Sequence, residues 1–215
     1  MIYALNADTS HIEKEDVFDA TIIEFDGFER AMFFDPDIDY HQLCGAPPVM
    51  EFLGDLKNLA WLDHVFTSPL NLLLVSKRMM RVLESVGSFR HRAIPTVIYS
   101  SKVKKLVYTG YPRRRTSYQV QDPSLRNDDF VILQLAERLD CLDHDRTLVS
   151  GTSFRESGET YLGVEDAQHF EFRKPEGGFP PVFFVPGLVF YCFSEEAKRA
   201  CEHAGLKGLW WRPLP

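Results

Sequence analysis

Two stretches of the chain carry the same succession of apolar and polar positions. An apolar run, Leu72-Leu73-Leu74-Val75, stops at Ser76, and another, Val189-Phe190-Tyr191-Cys192-Phe193, stops at Ser194. Beyond each serine apolar residues recur at helical spacing: Met79, Val82, Leu83 and Val86 in the first, Ala197, Ala200, Cys201 and Ala204 in the second. Each segment is therefore predicted to be a helix that buries one stripe. The second stripe is made of small residues, so its helix should lie close to its sheet. Gly87 and Gly205 each fall eleven positions after their serine, where a left-handed residue ends a helix cheaply. Apolar runs follow, Ala93 to Tyr99 and Leu209 to Trp211. The serines fit N-caps that accept an orphan backbone N–H, and Glu195 and Glu196 place negative charge at the positive end of the second helix. A serine after a strand also suggests a nucleophile elbow, but neither lies in G-x-S-x-G.

Elsewhere the patterns are shorter. Residues 1–34 read as short strands with turns, and the β-branched run from Ala20 to Asp26-Gly27 as a hairpin. Asp35 to Tyr40 is a turn-rich acidic loop, and Gly45-Ala46-Pro47-Pro48 a breaker. Phe52, Leu53, Leu56, Leu59, Ala60 and Leu62 suit a short helix. Lys102 to Asp122 reads as a basic, tyrosine-bearing hairpin arm, Phe130 to Leu135 as a buried strand, residues 150–160 as a polar loop, and His169 to Arg173 as an alternating strand. Phe179 to Phe184 and Trp210-Trp211 are core-strand patterns in which one tryptophan of the pair must face outward. The expected fold class is α+β, a mixed twisted β-sheet flanked by a few short helices that include the two Ser-capped strand–helix–strand units. Residues 1–66 would form an acidic β-rich part and residues 67–215 an α+β domain, or the two would be one continuous domain.

Composition narrows the class. With 45% hydrophobic and 13% aromatic residues among 215, the chain can bury a sizeable core. No apolar run approaches the roughly 20 residues that span a bilayer, and no signal-peptide pattern opens the chain. Cys44, Cys141, Cys192 and Cys201 show no C-x-x-C spacing, which fits reduced, mostly buried thiols in a cytoplasmic protein.

Charge changes the picture more by segment than in total. Residues 1–66 hold 14 acids against 3 bases, residues 76–115 hold 11 bases with Glu84 their one acid, and residues 116–215 hold 16 acids against 10 bases. Either the two oppositely charged parts attract one another in the fold, or each faces a different partner. A net charge of -7 argues against a general nucleic-acid binder.

Four groups of residues could carry chemistry. Asp140, Asp143, His144 and Asp145, with Asp63 and His64, include metal-ligand types but lack an H-E-x-x-H or comparable frame; a polar turn explains them equally, and a hydrolase or metalloenzyme is the corresponding alternative. Arg113-Arg114-Arg115 between Tyr111 and Tyr118, preceded by Lys102, Lys104 and Lys105, could hold phosphates and stack bases, or pair with the protein's own acids. Glu13, Glu15, Asp16 and Asp19 with Asp35, Asp37 and Asp39 form an acidic set. It lacks the glycine and distal glutamate of a calcium loop, and it is either a solvated loop or a face that steers a basic protein partner. The fourth is the aromatic set, Phe179 to Phe184 with Trp210-Trp211. No Walker loop, Rossmann fingerprint or kinase set is present, and no cofactor is implied.

The ordered series Leu74-Val75-Ser76 with its helix, Phe130 to Leu135 followed by Leu139 to Asp143, Val189 to Glu196, and Ala204-Gly-Leu-Lys-Gly-Leu-Trp210 resembles the eleventh family of bacterial polymorphic-toxin immunity proteins, formerly a domain of unknown function. The resemblance covers roughly residues 67–213. It implies a cytoplasmic protein that binds a cognate toxin and blocks it without chemistry, and it transfers no catalytic residue. Together with the charge pattern it makes Glu13, Glu15, Asp16, Asp35, Asp37 and Asp39 the expected contacts to a basic toxin, plausibly a nuclease.

Overall fold

The computed structural model describes residues 1–8, 20–100, 104–109, 114–120, 122–149, 153–154, 160–161 and 167–214. The protein is α+β. Its larger sheet is mixed and runs β4 (His64–Val65), β6 (Leu74–Ser76), β11 (Phe130–Leu135), β7 (His91–Ser100), β3 (Met50–Gly54), β2 (Ala20–Ile22), β5 (Thr67–Ser68), with β10 (Arg126–Asn127) also on β7. The β3–β7 and β2–β5 contacts are parallel and the others antiparallel. The second sheet runs β16 (Val182–Phe184), β17 (Tyr191–Ser194), β1 (Ile2–Ala7), β18 (Leu209–Pro213), antiparallel throughout. Residues 1–66 thus supply strands to both sheets.

The two Ser-capped units are repeats at the level of register. In each, the strand before the serine and the strand after the helix are parallel, and an antiparallel strand lies between them. Phe130 sits opposite Ser76, and Val131 opposite both Val75 and Pro95. In the second unit Ile2 sits opposite Ser194, and Tyr3 opposite both Phe193 and Pro213. Even the outer strands match: His64 faces Val75 as Val182 faces Phe193. The Ser76 amide donates to the Asp63 carbonyl as the Ser194 amide donates to that of Pro181. The middle strand of the first unit follows its helix, whereas the second unit takes β1 from the start of the chain.

Helices α3 (Lys77–Val86) and α4 (Glu195–His203) pack on one another. They share one apolar core with the same-side faces of both sheets, through Val75, Met79, Leu83, Leu133, Phe193, Ala197 and Cys201. Each serine caps as the sequence implies: Ser76 Oγ accepts from the Met79 amide at 3.0 Å and Ser194 Oγ from the Ala197 amide at 3.2 Å. The helix ends differ. Gly205 is left-handed at φ +62°, and the Leu206 and Gly205 amides donate to the Cys201 and Glu202 carbonyls, a Schellman closure. Gly87 has φ 172°, extended backbone, so the expected left-handed stop is absent there and the chain runs straight on toward β7.

A second core lies on the far face of the larger sheet under α1 (Ala31–Phe34), the 3-10 turn Tyr40–Gln42 and α2 (Leu56–Leu59), and a third on the far face of the smaller sheet. Phe52 and Leu53 belong to β3 and not to a helix; only Leu56–Leu59 is helical, capped by Asp55. The Asp26-Gly27 turn does not close a hairpin either. β2 pairs with β3 and β5, because the turn leads into α1. The basic arm is a hairpin of β8 (Lys104–Thr109) and β9 (Arg114–Gln119) with Lys105 opposite Tyr118 and Tyr108 opposite Arg115. The expected polar loop at 150–160 contains two short paired strands, β13 (Ser153–Phe154) and β14 (Thr160–Tyr161). Upstream and downstream of them, β12 (Leu148–Val149) pairs with β15 (Ala167–His169); the alternating strand ends at His169, and Phe172 makes one bridge to Leu142.

Candidate interaction surface

The acidic loop is built outward from two core strands. Arg92 on β7 and Gln134 on β11 are directly opposite each other, so their side chains leave the same face of the sheet. Gln134 is 1% exposed, and an amide so deeply buried must find partners. Its Nε2 donates to the carbonyls of Met32 at 2.7 Å and Ile38 at 2.8 Å, and its Oε1 accepts from the Tyr40 amide at 3.4 Å. Arg92 Nη1 donates to the Pro36 and Ile38 carbonyls, both at 3.2 Å, while its Nε stands 3.4 Å from Asp39 Oδ2. The loop also ties itself. Asp35 Oδ1 accepts from the Asp37 amide, and Asp39 caps the following 3-10 turn by accepting from the His41 amide, both at 3.0 Å. Tyr40, buried next to it, donates its hydroxyl to the Pro47 carbonyl at 2.9 Å, and burial pushes its phenol up to about 12.

Three of the six expected contact residues are therefore brought onto one braced turn. Asp37 is exposed, whereas Asp35 and Asp39 are half-buried and take part in the bonds above. Arg138 Nη2 donates to the Phe34 carbonyl at 3.1 Å and the Arg30 guanidinium lies 5.0 Å from the Phe34 ring centre. The turn is thus an acidic tip on a basic collar, and Asp39–Arg92 is an ion pair between the acidic first third and the basic segment. Glu13, Glu15 and Asp16 lie outside the described residues, as does Arg113. Neither Arg92 nor Gln134 was expected to matter. The one signal was Gln134 itself, an amide inside the otherwise apolar run Phe130 to Leu135.

Of the group with metal-ligand residue types, Asp63, His64 and Asp143 make hydrogen bonds within the fold. Asp63 is buried; its Oδ1 accepts from Ser76 Oγ at 2.5 Å and its Oδ2 from the Lys207 amide at 2.7 Å. One carboxylate thus joins the cap of α3 to the loop after α4. His64 is buried with Nδ1 at 3.1 Å from the Leu74 carbonyl, and desolvation lowers it to about 4. Asp143 accepts from the Asp145 and Arg146 amides, an ordinary Asx turn. Among the described residues no three His, Cys, Asp or Glu side chains converge as metal ligands would. All four cysteines are unpaired; burial raises the thiols of Cys141 to about 11 and Cys201 to about 12, the wrong direction for a nucleophile.

No family model matches the chain, and the curated proteins contain no match to it. No helix among the described residues is long and apolar enough to cross a membrane.

Proposed function

We propose that the protein is an immunity protein, a stoichiometric inhibitor that neutralises a cognate basic toxin, such as a nuclease, in the bacterial cytoplasm. The observation that carries this reading is the acidic turn 35–39 held in one conformation by Arg92 and Gln134. A pre-ordered loop loses little entropy on binding, and the negative charge on it, the exposed Asp37 above all, steers a basic partner toward the surface. The family resemblance over residues 67–213 supplies the class of partner. Glu13, Glu15 and Asp16 are proposed to extend the acidic surface.

The test is co-expression of the chain with the C-terminal domain encoded by the neighbouring reading frame, followed by binding kinetics on the purified pair. Rescue of growth and a complex whose association slows with salt are expected. Replacing Asp35 and Asp37 by lysine should slow association roughly tenfold at low salt. Unchanged rates remove this turn from the interface, and absence of any complex removes the immunity reading. A second reading is favoured by the β8–β9 arm, where basic and tyrosine positions face each other in register. It would bind single strands by stacking and phosphate contact, and an absent low-salt shift of single-stranded RNA would dismiss it.

A further inference from the structure

The second repeat ends in an uncovered strand edge, and the first does not. In the larger sheet the end strands β4 and β5 are joined through Phe66, whose carbonyl accepts from the Ala20 amide. The smaller sheet is covered at β16, where Arg138 bridges to Phe184 and the Leu139 amide donates to the Phe184 carbonyl. Its other end is β18, which pairs with β1 alone. The Leu214 amide donates to the Ile2 carbonyl and the Asp8 amide to the Gly208 carbonyl. Backbone direction alternates along such a strand, so Trp210 and Arg212 also turn their backbone groups toward β1. Leu209, Trp211 and Pro213 turn theirs outward, where they make no hydrogen bond among the described residues. Pro95 and Pro213 stand opposite Val131 and Tyr3, so Ala93 matches Trp211. In the first repeat that edge is covered: the Ala93 carbonyl accepts from His41 Nε2 at 3.2 Å, and β3 runs beside β7 from Thr96 onward. An open edge is a template for a further strand.

We propose that β18 pairs with β18 of a second copy of the chain, antiparallel, about a two-fold axis at Trp211. In that register the Trp211 amide and carbonyl exchange bonds with those of the other copy. The Leu209 amide meets the Pro213 carbonyl of the other copy, and the N–H that proline lacks leaves only the Leu209 carbonyl unpaired. The side chains favour a second copy over an unrelated strand. Trp211 packs edge-on to Tyr3 and Phe193, so Trp210 and Arg212 share the opposite face of β18, and Trp210 is 55% exposed. The two-fold register sets Trp210 of each copy opposite Arg212 of the other, in a non-hydrogen-bonded pair, where side chains approach closest. A guanidinium on an indole is an attractive charge match, and the symmetry makes it twice. An axis perpendicular to the sheet keeps α3 and α4 of both copies on one side and closes the assembly at a dimer. This pairing is separate from the acidic turn and stands whether or not that turn binds a toxin.

Sedimentation velocity of the full chain tests this, in about 0.15 M salt to screen repulsion between two chains of net charge -7. A monomer–dimer equilibrium is expected. Trp210→Lys sets like charges face to face and should weaken it about tenfold or more. Adding Arg212→Glu should bring it back to within about threefold of the unaltered chain, because the introduced lysine then faces the introduced glutamate of the other copy. Trp210 is exposed, so an unchanged melting temperature separates a lost dimer from a lost fold. Hydrogen exchange on the unaltered chain needs no variant. The Leu209 and Trp211 amides should slow as concentration rises, while those of Trp210 and Arg212, already turned to β1, should not change. A chain that stays monomeric up to roughly millimolar concentration overturns the inference. So does a dimer equally tight in Trp210→Lys, a folded double variant that dimerises no better than Trp210→Lys, or exchange at Trp211 that ignores concentration.

Discussion

Arg92 and Gln134 face each other across β7 and β11 and both donate to one acceptor, the carbonyl of Ile38, at 3.2 and 2.8 Å. Two neighbouring core strands thereby fix the backbone of the acidic turn. The two anchors are not equal. Gln134 is buried and its removal strands the Met32 carbonyl and the Tyr40 amide, leaving the Ile38 carbonyl to Arg92 alone, whereas Arg92 is 23% exposed at its side chain and its ion pair is partly screened. Gln134→Leu should cost about 2–4 kcal/mol in urea unfolding, and Arg92→Ala about 1 kcal/mol. In both variants the amides of Asp37, Ile38 and Gln42 should exchange faster. Unchanged protection at Ile38 in Gln134→Leu would show that the turn holds itself.

The two capping serines should separate in the same assay. Ser194 Oγ accepts one bond, so Ser194→Ala should cost about 1 kcal/mol. Ser76 Oγ accepts the same capping bond and also donates to buried Asp63. Ser76→Ala should therefore cost about 2–4 kcal/mol, because a carboxylate oxygen loses its donor. A double-mutant cycle with Asp63→Asn should return a coupling above about 0.5 kcal/mol. Additive effects would mean that the hydroxyl–carboxylate contact contributes nothing beyond the cap.

Gly208 holds the other side of that junction. It has φ +69°, and an added Cβ would collide with the Leu62 side chain while lying 3.1 Å from Leu62 Cα and 3.2 Å from the Trp61 carbonyl. Gly208→Ala should cost about 2–4 kcal/mol, backbone strain plus overpacking. Gly27 has φ +84° in open space, so Gly27→Ala meets only the backbone penalty, about 1 kcal/mol. Equal costs in the two variants would show that the close approach at Leu62 relaxes freely.

The sequence patterns that decided local structure were those whose causes are local. Ser76 and Ser194 cap because a hydroxyl two or three residues from an orphan amide needs no distant partner, and Met79 and Leu83 lie on the buried stripe that helical spacing requires. Gly87 failed the same reasoning. The chain passes into β7 through extended backbone at φ 172°, and the position of β7 is set by its pairing with β11 and β3, remote in sequence. Phe52 and Leu53 read as helical because Leu56 and Leu59 follow at the right spacing, but pairing with β7 overrides the period. The acidic turn was visible as composition. Its anchors were not, since the Arg92–Gln134 pairing depends on strand register, which spacing alone does not give.

His64 should make the fold acid-sensitive with a definite sign. Burial lowers its imidazole from the ordinary 6.5 to about 4 in the folded chain, so the unfolded chain binds the proton first. Stability from this group is fully present above pH 6.5, falls as the pH drops through 6.5, and levels off below about 4. A shift of that size corresponds to about 3 kcal/mol. His64→Leu leaves the Leu74 carbonyl without its donor and should lower stability at pH 7 by about 1–2 kcal/mol. Its unfolding free energy should then vary less with pH between 6.5 and 4 than that of the unaltered chain, by about the 3 kcal/mol that the imidazole contributes. Parallel pH profiles for the two proteins would mean that His64 accepts its proton in the folded state, by admitting water or by moving out of the core.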